Sequence, residues 1–192
     1  MIYLLIGIFL FLGAHSVRIW ADPWRERMLE RLGDARWKGL YALTSAIGLG
    51  LLIWGFGLTR QEPVQLWIPP NGMRHLASVL MLGSFVLLAA AYVPGNRIKA
   101  RLRHPMVLSV KLWALAHLLA NGNLAHGVLF GAFLVWAVLS FRAARQRDRL
   151  AGIGPETGST GATGVAVALG VAAWLAFTLY LHGLLIGVHP LG

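Results

Sequence analysis

Long apolar runs without charged residues recur along the chain, separated by short polar segments. Their length suits an α-helix that crosses a bilayer, which needs roughly 20 residues. Inside lipid, backbone polar groups must bond within their own segment, so the runs predict helices rather than open strands. The pattern predicts six spans, at residues 1–20, 39–59, 75–95, 105–120, 124–141 and 163–188.

The composition indicates the same class of protein. The 192 residues are 57% hydrophobic and 12% charged, whereas soluble domains carry roughly 25% charged residues. We therefore predict one all-α domain, a polytopic membrane helix bundle of about six transmembrane helices, with the lipid bilayer as its partner. Residues 152–162 are rich in Gly, Ser and Thr and are predicted to form a flexible linker before the last helix.

The net charge of +10 is distributed unevenly among the loops. Lys and Arg are concentrated after the first, third and fifth spans, and the loop after the fourth span has none. This alternation follows the positive-inside rule, which predicts cytoplasmic basic loops and two periplasmic termini. A nucleic-acid surface has no reason to alternate with hydropathy, so we expect no nucleic-acid partner.

The chain has no cysteine, which excludes disulfides, thiolate metal sites and covalent c-type haem. All seven acidic residues fall outside the predicted spans, so a carboxylate-bridged metal centre within the bilayer is not expected. Histidine remains as the candidate ligand. His15 and His117 lie well inside spans, where an ionisable side chain is a functional hypothesis by default.

The neighbours of His117 favour a flat cofactor. Trp113 and Asn121 stand four residues away, and Ala114 and Ala120 three residues away, so all four share its helix face. The two alanines leave room for a macrocycle, and Trp113 provides an aromatic wall beside it. Haem bound by two neutral imidazoles would account for both mid-span histidines.

Other residues enter as secondary candidates for the same site. Haem propionates need cations at the edge of the bilayer, for which Arg18 and Lys111 are candidates, although Lys111 alternatively extends to the membrane surface. His75 is a rival partner for His117, because it lies at the outer end of the third span. His104 precedes Pro105 and is predicted to cap a helix or contact a propionate.

Four motifs carry a resemblance to a known family. They are GDARWKGLYALTS, LWIPP, RHLA and AAYVPGNRIKARLRHPMVLSVKLWALAHLLANGN. Together they resemble the NnrU family of bacterial membrane proteins, over about residues 1–150 and less distinctly in the last helix. The resemblance implies a protein of the bacterial inner membrane, associated with nitrite and nitric oxide metabolism in denitrification.

The NnrU family is in turn similar to zeta-carotene isomerase. That similarity implies a b-type haem held by His15 in GAHS and His117 in ALAH, with His104 as the histidine of the RHP motif. It also implies polyene cis-trans isomerisation at the iron. The isomerase has a cysteine three residues before its LAH histidine, where this chain has Ala114. Because that cysteine is linked with a change of iron ligand, the departure argues against isomerase activity.

Three interpretations follow. The first is a haem b protein with redox or ligand chemistry at the iron, whose ligand is a hydrophobic small molecule or nitric oxide. The second is a membrane methyltransferase dependent on S-adenosylmethionine, because such enzymes also carry RHP motifs; they use acidic residues after the next helix, where this chain has Asp148 alone. The third is a non-catalytic assembly factor for respiratory complexes. An oligomer is compatible with all three.

Overall fold

The computed structural model describes residues 1–154 and 156–191, and within them it confirms the all-α fold. The helices are α1 (Ile2–Trp20), α2 (Asp22–Leu32), α3 (Asp34–Thr59), α4 (Met73–Tyr92), α5 (Arg97–Leu102), α6 (Pro105–Ala120), α7 (Leu124–Leu150), α8 (Thr160–Ala176) and α9 (His182–Ile186), with a π-helical turn at Phe177–Leu181 between the last two.

Five helical segments are long and apolar enough to cross a membrane: α1, α3, α4, α7 and the continuous stretch Thr160–Ile186. The sixth, α6, is apolar but shorter, with 16 residues. Large apolar side chains such as Phe9, Ile53 and Val79 are exposed on the outside of the bundle. Such a surface requires lipid around it, so the protein is a multi-pass membrane helix bundle.

Helix contacts place the spans in a definite order. α1 packs on α3 and, over a smaller area, on α7; α7 packs on α6, α6 on α4, and α4 on α8. The neighbours therefore run α3, α1, α7, α6, α4, α8. His15 on α1 and His117 on α6 lie on the two helices that flank α7.

Glycines allow α1 and α3 to approach closely. A Cβ atom at Gly7 would lie 2.5 Å from the Leu52 nitrogen, and one at Gly48 would lie 2.6 Å from the Phe11 nitrogen. A Cβ atom at Gly55 would meet the backbone of Leu4. Small residues at a membrane helix interface let backbones pack directly against each other. This close contact between α1 and α3, called the α1–α3 seam below, fixes the position of α1 and therefore of His15.

The three basic loops meet at one end of the bundle, called the basic end below. Arg147 Nη1 donates to the Arg18 carbonyl at 3.0 Å, which joins the end of α7 to the end of α1. Arg103 Nη2 donates to the carbonyls of Ile153 and Gly154 at 2.7 and 2.8 Å, which joins the start of α6 to the segment after α7.

The opposite end is closed by the turn between α6 and α7. The Gly122 carbonyl accepts hydrogen bonds from the backbone N–H groups of Leu66 and Trp67, at 2.9 and 3.1 Å. Leu124 N–H donates to the Val64 carbonyl at 2.8 Å. A Cβ atom at Gly122 would run into the Trp67 carbonyl, so only glycine permits this approach. The loop before α4 therefore lies over the end of α6 that carries His117.

Met1 and the end of α9 both lie at this opposite end. Met1 lines a small cavity together with Thr59 and Leu124, and Arg60 Nη1 donates to the Ile186 carbonyl at 2.6 Å. The loops there carry only Arg60 as a basic residue, with Arg74 in the first turn of α4. The charge asymmetry predicted from the sequence is therefore an asymmetry between two ends of one bundle.

The predicted linker, residues 152–162, makes hydrogen bonds at several points. Ser159 N–H donates to the Gly95 carbonyl at 2.8 Å, and Arg97 Nε donates to the Gly158 carbonyl at 3.1 Å. These contacts tie the segment to α5. Its predicted flexibility stays a prediction, and Pro155 within it lies outside the described residues.

Candidate functional site

The imidazole of His15 lies in an aromatic environment. Its Nδ1 is 2.7 Å from the Phe11 carbonyl, one turn earlier on α1. The Phe11 ring stacks on the imidazole at 4.3 Å between centroids, and the rings of Tyr41 and Trp136 lie 5.2 and 6.1 Å away. Helices α3 and α7 thus supply the walls around a histidine that α1 positions.

The imidazole of His117 repeats this arrangement on α6. Its Nδ1 is 2.8 Å from the Trp113 carbonyl, and the Phe130 ring of α7 stacks on it at 4.4 Å. The Trp113 ring lies 5.4 Å away. Asn121 Nδ2 donates to the His117 carbonyl at 2.9 Å and so satisfies a backbone group at the end of α6.

The same tautomer follows for both histidines. A carbonyl oxygen can only accept a hydrogen bond, so each Nδ1 must carry the proton. The lone pair of a neutral ring then resides on Nε2. Histidines that bind metals commonly donate their other ring N–H to a backbone carbonyl in this way, which fixes the ring orientation. His15 and His117 are therefore both arranged to offer Nε2 as a ligand.

A layer of aromatic rings connects the two imidazoles across α7. The Phe133 ring lies 5.9 Å from that of Phe11, the neighbour of His15, and 5.3 Å from that of Trp113, the neighbour of His117. The layer excludes water from the space between the histidines. A flat group ligated by both imidazoles would require Phe133 to move, because its ring contacts both neighbours.

His126, in the first turn of α7, is a further histidine near this site that the sequence analysis did not select. Its ring lies 5.8 Å from that of Phe130, the ring that also stacks on His117, and 5.0 Å from that of Phe56. Asn123 caps α7, its side-chain oxygen accepting from the His126 N–H at 3.1 Å and contacting Nδ1. The four-residue spacing of His126 and Phe130 is the signal that places both on one face.

The predicted cations have partners of their own. Arg18 Nε is 3.9 Å from Asp22, and its side chain is 61% exposed at the basic end. Lys111 Nζ lies 5.1 Å from the centre of the Phe141 ring, a cation–π contact. The Lys111 side chain thus lies against Phe141 of α7, and its predicted role at a propionate or at the membrane surface stays a prediction. His75 is exposed in the first turn of α4, and in the described part of the chain its ring makes no hydrogen bond or aromatic contact.

The RHP motif forms a separate cluster at the basic end. His104 occupies the N-cap position of α6, as predicted, although its side chain makes no capping hydrogen bond. Its Nε2 instead lies 2.9 Å from the Asp148 carboxylate, and Arg103 Nη1 lies 3.5 Å from the same carboxylate. Asp148 is 8% exposed, and burial of its charge requires these partners. The cluster joins the α5–α6 junction to α7.

Among residues 1–154 and 156–191, no three His, Asp or Glu side chains gather as a metal-binding group. The site therefore presents imidazoles singly, each surrounded by aromatic rings. An iron that already has four bonds from a porphyrin needs only one or two such ligands.

The fold and these residues define a class: a polytopic all-α membrane protein with partly buried histidines on two helices, α1 and α6, that flank a third, α7. The chain belongs to the NnrU family, whose profile, described as NnrU protein, matches residues 3–190. The match extends through the last helix, beyond the part in which the motifs are distinct. Comparison with curated proteins and with solved structures finds no match.

Proposed function

We propose that this protein binds haem b within the bacterial inner membrane, with His117 as an iron ligand and His15 as the second. The observation that supports the proposal most is the shared arrangement of both imidazoles, in which Nδ1 bonds a backbone carbonyl and Nε2 is left for a metal. The aromatic rings around both histidines suit a flat, apolar macrocycle.

The donor chemistry fits haem in three respects. Neutral imidazole is a common axial ligand of b-type haem, and the surroundings are dry and apolar. Ala114, three residues before His117 on the same face of α6, is small, so the helix surface beside the imidazole lies close to the backbone. Arg18 lies one turn beyond His15 and can neutralise a propionate there, as its side chain is exposed.

Haem bound here would supply one-electron redox chemistry, and its iron could bind a small ligand such as nitric oxide where that ligand replaces one of the two histidines. The protein residues have other tasks. His117 and His15 would hold the group by Nε2, while the carbonyls of Trp113 and Phe11 set the orientation of each ring through Nδ1. Phe133 would have to move to admit the group, and with its aromatic neighbours it would then line the site with apolar surface. This division of roles suits electron transfer or nitric oxide binding in nitrite and nitric oxide metabolism, the activity implied for the family.

Two other interpretations find less support. The methyltransferase hypothesis needs a free carboxylate near the RHP motif, but Asp148 is paired with His104 and Arg103. Polyene isomerisation of the zeta-carotene isomerase type lacks its cysteine, since Ala114 occupies that position and is fully buried. A role as a non-catalytic assembly factor predicts a protein without haem, which the following experiment distinguishes.

Membranes that overproduce the protein are expected to show a Soret band that shifts on reduction with dithionite. The band should grow with the amount of protein, because each chain offers one site. Membranes of the same strain carrying an empty vector are the control. A colourless protein that binds S-adenosylmethionine would support the methyltransferase instead, and a colourless protein that binds neither would support the assembly factor.

The proposed orientation places the basic end in the cytoplasm and both termini in the periplasm, as the positive-inside rule requires. Single cysteines at Gln61 and Gln146 test it, because the chain has no cysteine and both side chains are exposed, one at each end of the bundle. A membrane-impermeant maleimide should label Gln61→Cys in intact spheroplasts and Gln146→Cys only after lysis. Labelling in the reverse order would contradict the orientation.

A further inference from the structure

A lipid-facing groove runs between α1 and α7. Its volume is about 360 Å³, and its walls are mainly apolar. Its lining includes Leu12, Ser16, Gly131, Ala132, Val135 and Trp136. Val135 is 60% exposed, so the groove opens to the outside of the bundle, where lipid tails lie.

The groove exists because α1 packs closely on α3 and only over a small area on α7. Gly131 keeps the floor of the groove low, since a Cβ atom there would meet nothing within 4 Å. In a bilayer an apolar groove of this kind is filled by hydrocarbon, since it offers water few hydrogen-bonding partners. Its shape alone does not select among lipids; the charges at its end do.

Basic side chains stand where the groove reaches the basic end. Arg147 bonds the Arg18 carbonyl and so lies at the junction of α1 and α7. Arg142 follows the groove residue Leu139 by three positions, which places it on the same face of α7, and it is exposed. Asp22, at the start of α2, is already shared by Arg18 and Arg25.

The acidic residue of α7 does not neutralise these basic side chains either. Asp148 follows Arg147 directly, but its carboxylate is paired with Arg103 and His104. The end of the groove therefore keeps a net positive charge. Basic pockets between membrane helices on the cytoplasmic side are typical sites for anionic lipid headgroups.

We propose that this groove binds an anionic phospholipid, with an acyl chain between α1 and α7 and the headgroup at Arg142 and Arg147. The site is distinct from the proposed haem site but borders it, because Trp136 lines the groove and also contacts the His15 ring. A lipid in the groove would complete the apolar wall on that side of His15. The proposal stands whether or not the protein binds haem.

Native mass spectrometry of the full chain in mild detergent tests this directly. With phosphatidylglycerol and phosphatidylcholine supplied in equal amounts, the protein is expected to retain one phosphatidylglycerol. Gly131→Leu fills the groove and should abolish retention. Gly127→Leu is the matched control, because it lies one turn earlier on α7, also has open space around it, and does not line the groove.

The headgroup contact is tested separately by variants that substitute no residue of the groove lining. Arg142→Gln and Arg147→Gln should each lower the affinity for phosphatidylglycerol about fivefold, since a cation near an anionic lipid surface contributes roughly 1 kcal/mol. Arg149→Gln, exposed at the end of α7, should have a smaller effect. Equal retention of phosphatidylcholine, or full retention by Gly131→Leu, would overturn the proposal.

Discussion

His117→Ala is expected to abolish haem binding, with complete loss of the Soret band from the purified protein. The imidazole is the proposed iron ligand, and alanine offers no donor atom in its place. The Trp113 carbonyl loses its side-chain partner, but it stays bonded within α6, so we expect the helix to form normally. Absorbance spectra of protein purified by the same procedure as the wild type provide the measurement.

Matched histidine variants make the assignment specific. His75→Ala should keep the wild-type spectrum, because His75 is exposed in the first turn of α4. His15→Ala should change the spectrum to that of iron with one histidine ligand, whereas His126→Ala should leave it unchanged. A spectral change in His126→Ala and none in His15→Ala would transfer the second ligand to α7. Retention of haem by His117→Ala would refute the ligand assignment altogether.

Gly55→Leu is expected to have the second largest effect, because it forces α1 away from α3. Any Cβ atom at this position meets the Leu4 backbone, which cannot turn aside as a flexible side chain can. Overpacking of this kind typically costs about 1–3 kcal/mol, and a leucine at a backbone contact should reach the upper part of that range. Thermal unfolding in detergent, followed by loss of monodisperse protein, measures the change.

Gly57→Leu is the control for this substitution. Gly57 lies on the same helix two residues later, and a Cβ atom there meets nothing within 4 Å. Its unfolding temperature should stay close to that of the wild type, and its haem content should be unchanged. Equal destabilisation by both variants would show that a larger side chain anywhere on this part of α3, and not the contact with α1, determines the effect, since leucine has the higher helix propensity of the two residues.

The sequence predicted the spans well because the bilayer imposes a strong local constraint on the chain. Runs of apolar residues give the helices, and Pro105 marks the first residue of α6, as expected from its fixed φ and missing N–H. Charge alternation predicted which loops share an end of the bundle. Those patterns lie within single segments, so no knowledge of packing was needed.

Neighbour relations between helices could not be read from the same pattern. Lipid-facing and buried positions are both apolar, so hydropathy does not show that α7 lies between α1 and α6. Asp148 illustrates the difficulty, since its partner His104 lies 44 residues away. The loop containing Trp67 similarly bonds Gly122, and nothing local in either segment indicates that contact.

Helical spacing predicted those residues of the candidate site that lie on the same helix as His117. The four-residue spacing correctly placed Trp113 and Asn121 beside His117, where both make hydrogen bonds with it. The rings supplied by α7, Phe130 and Phe133, were not predicted because they depend on packing. A role of these residues in holding haem stays a prediction.

The haem-to-protein ratio of the purified protein tests the central claim most directly. The protein should be produced with ample haem precursor, purified in mild detergent, and assayed for haem as its pyridine complex against protein by amino-acid analysis. The account predicts one b-type haem per chain, with a reduced spectrum of histidine-ligated iron. Pure, monodisperse protein with no haem would contradict it.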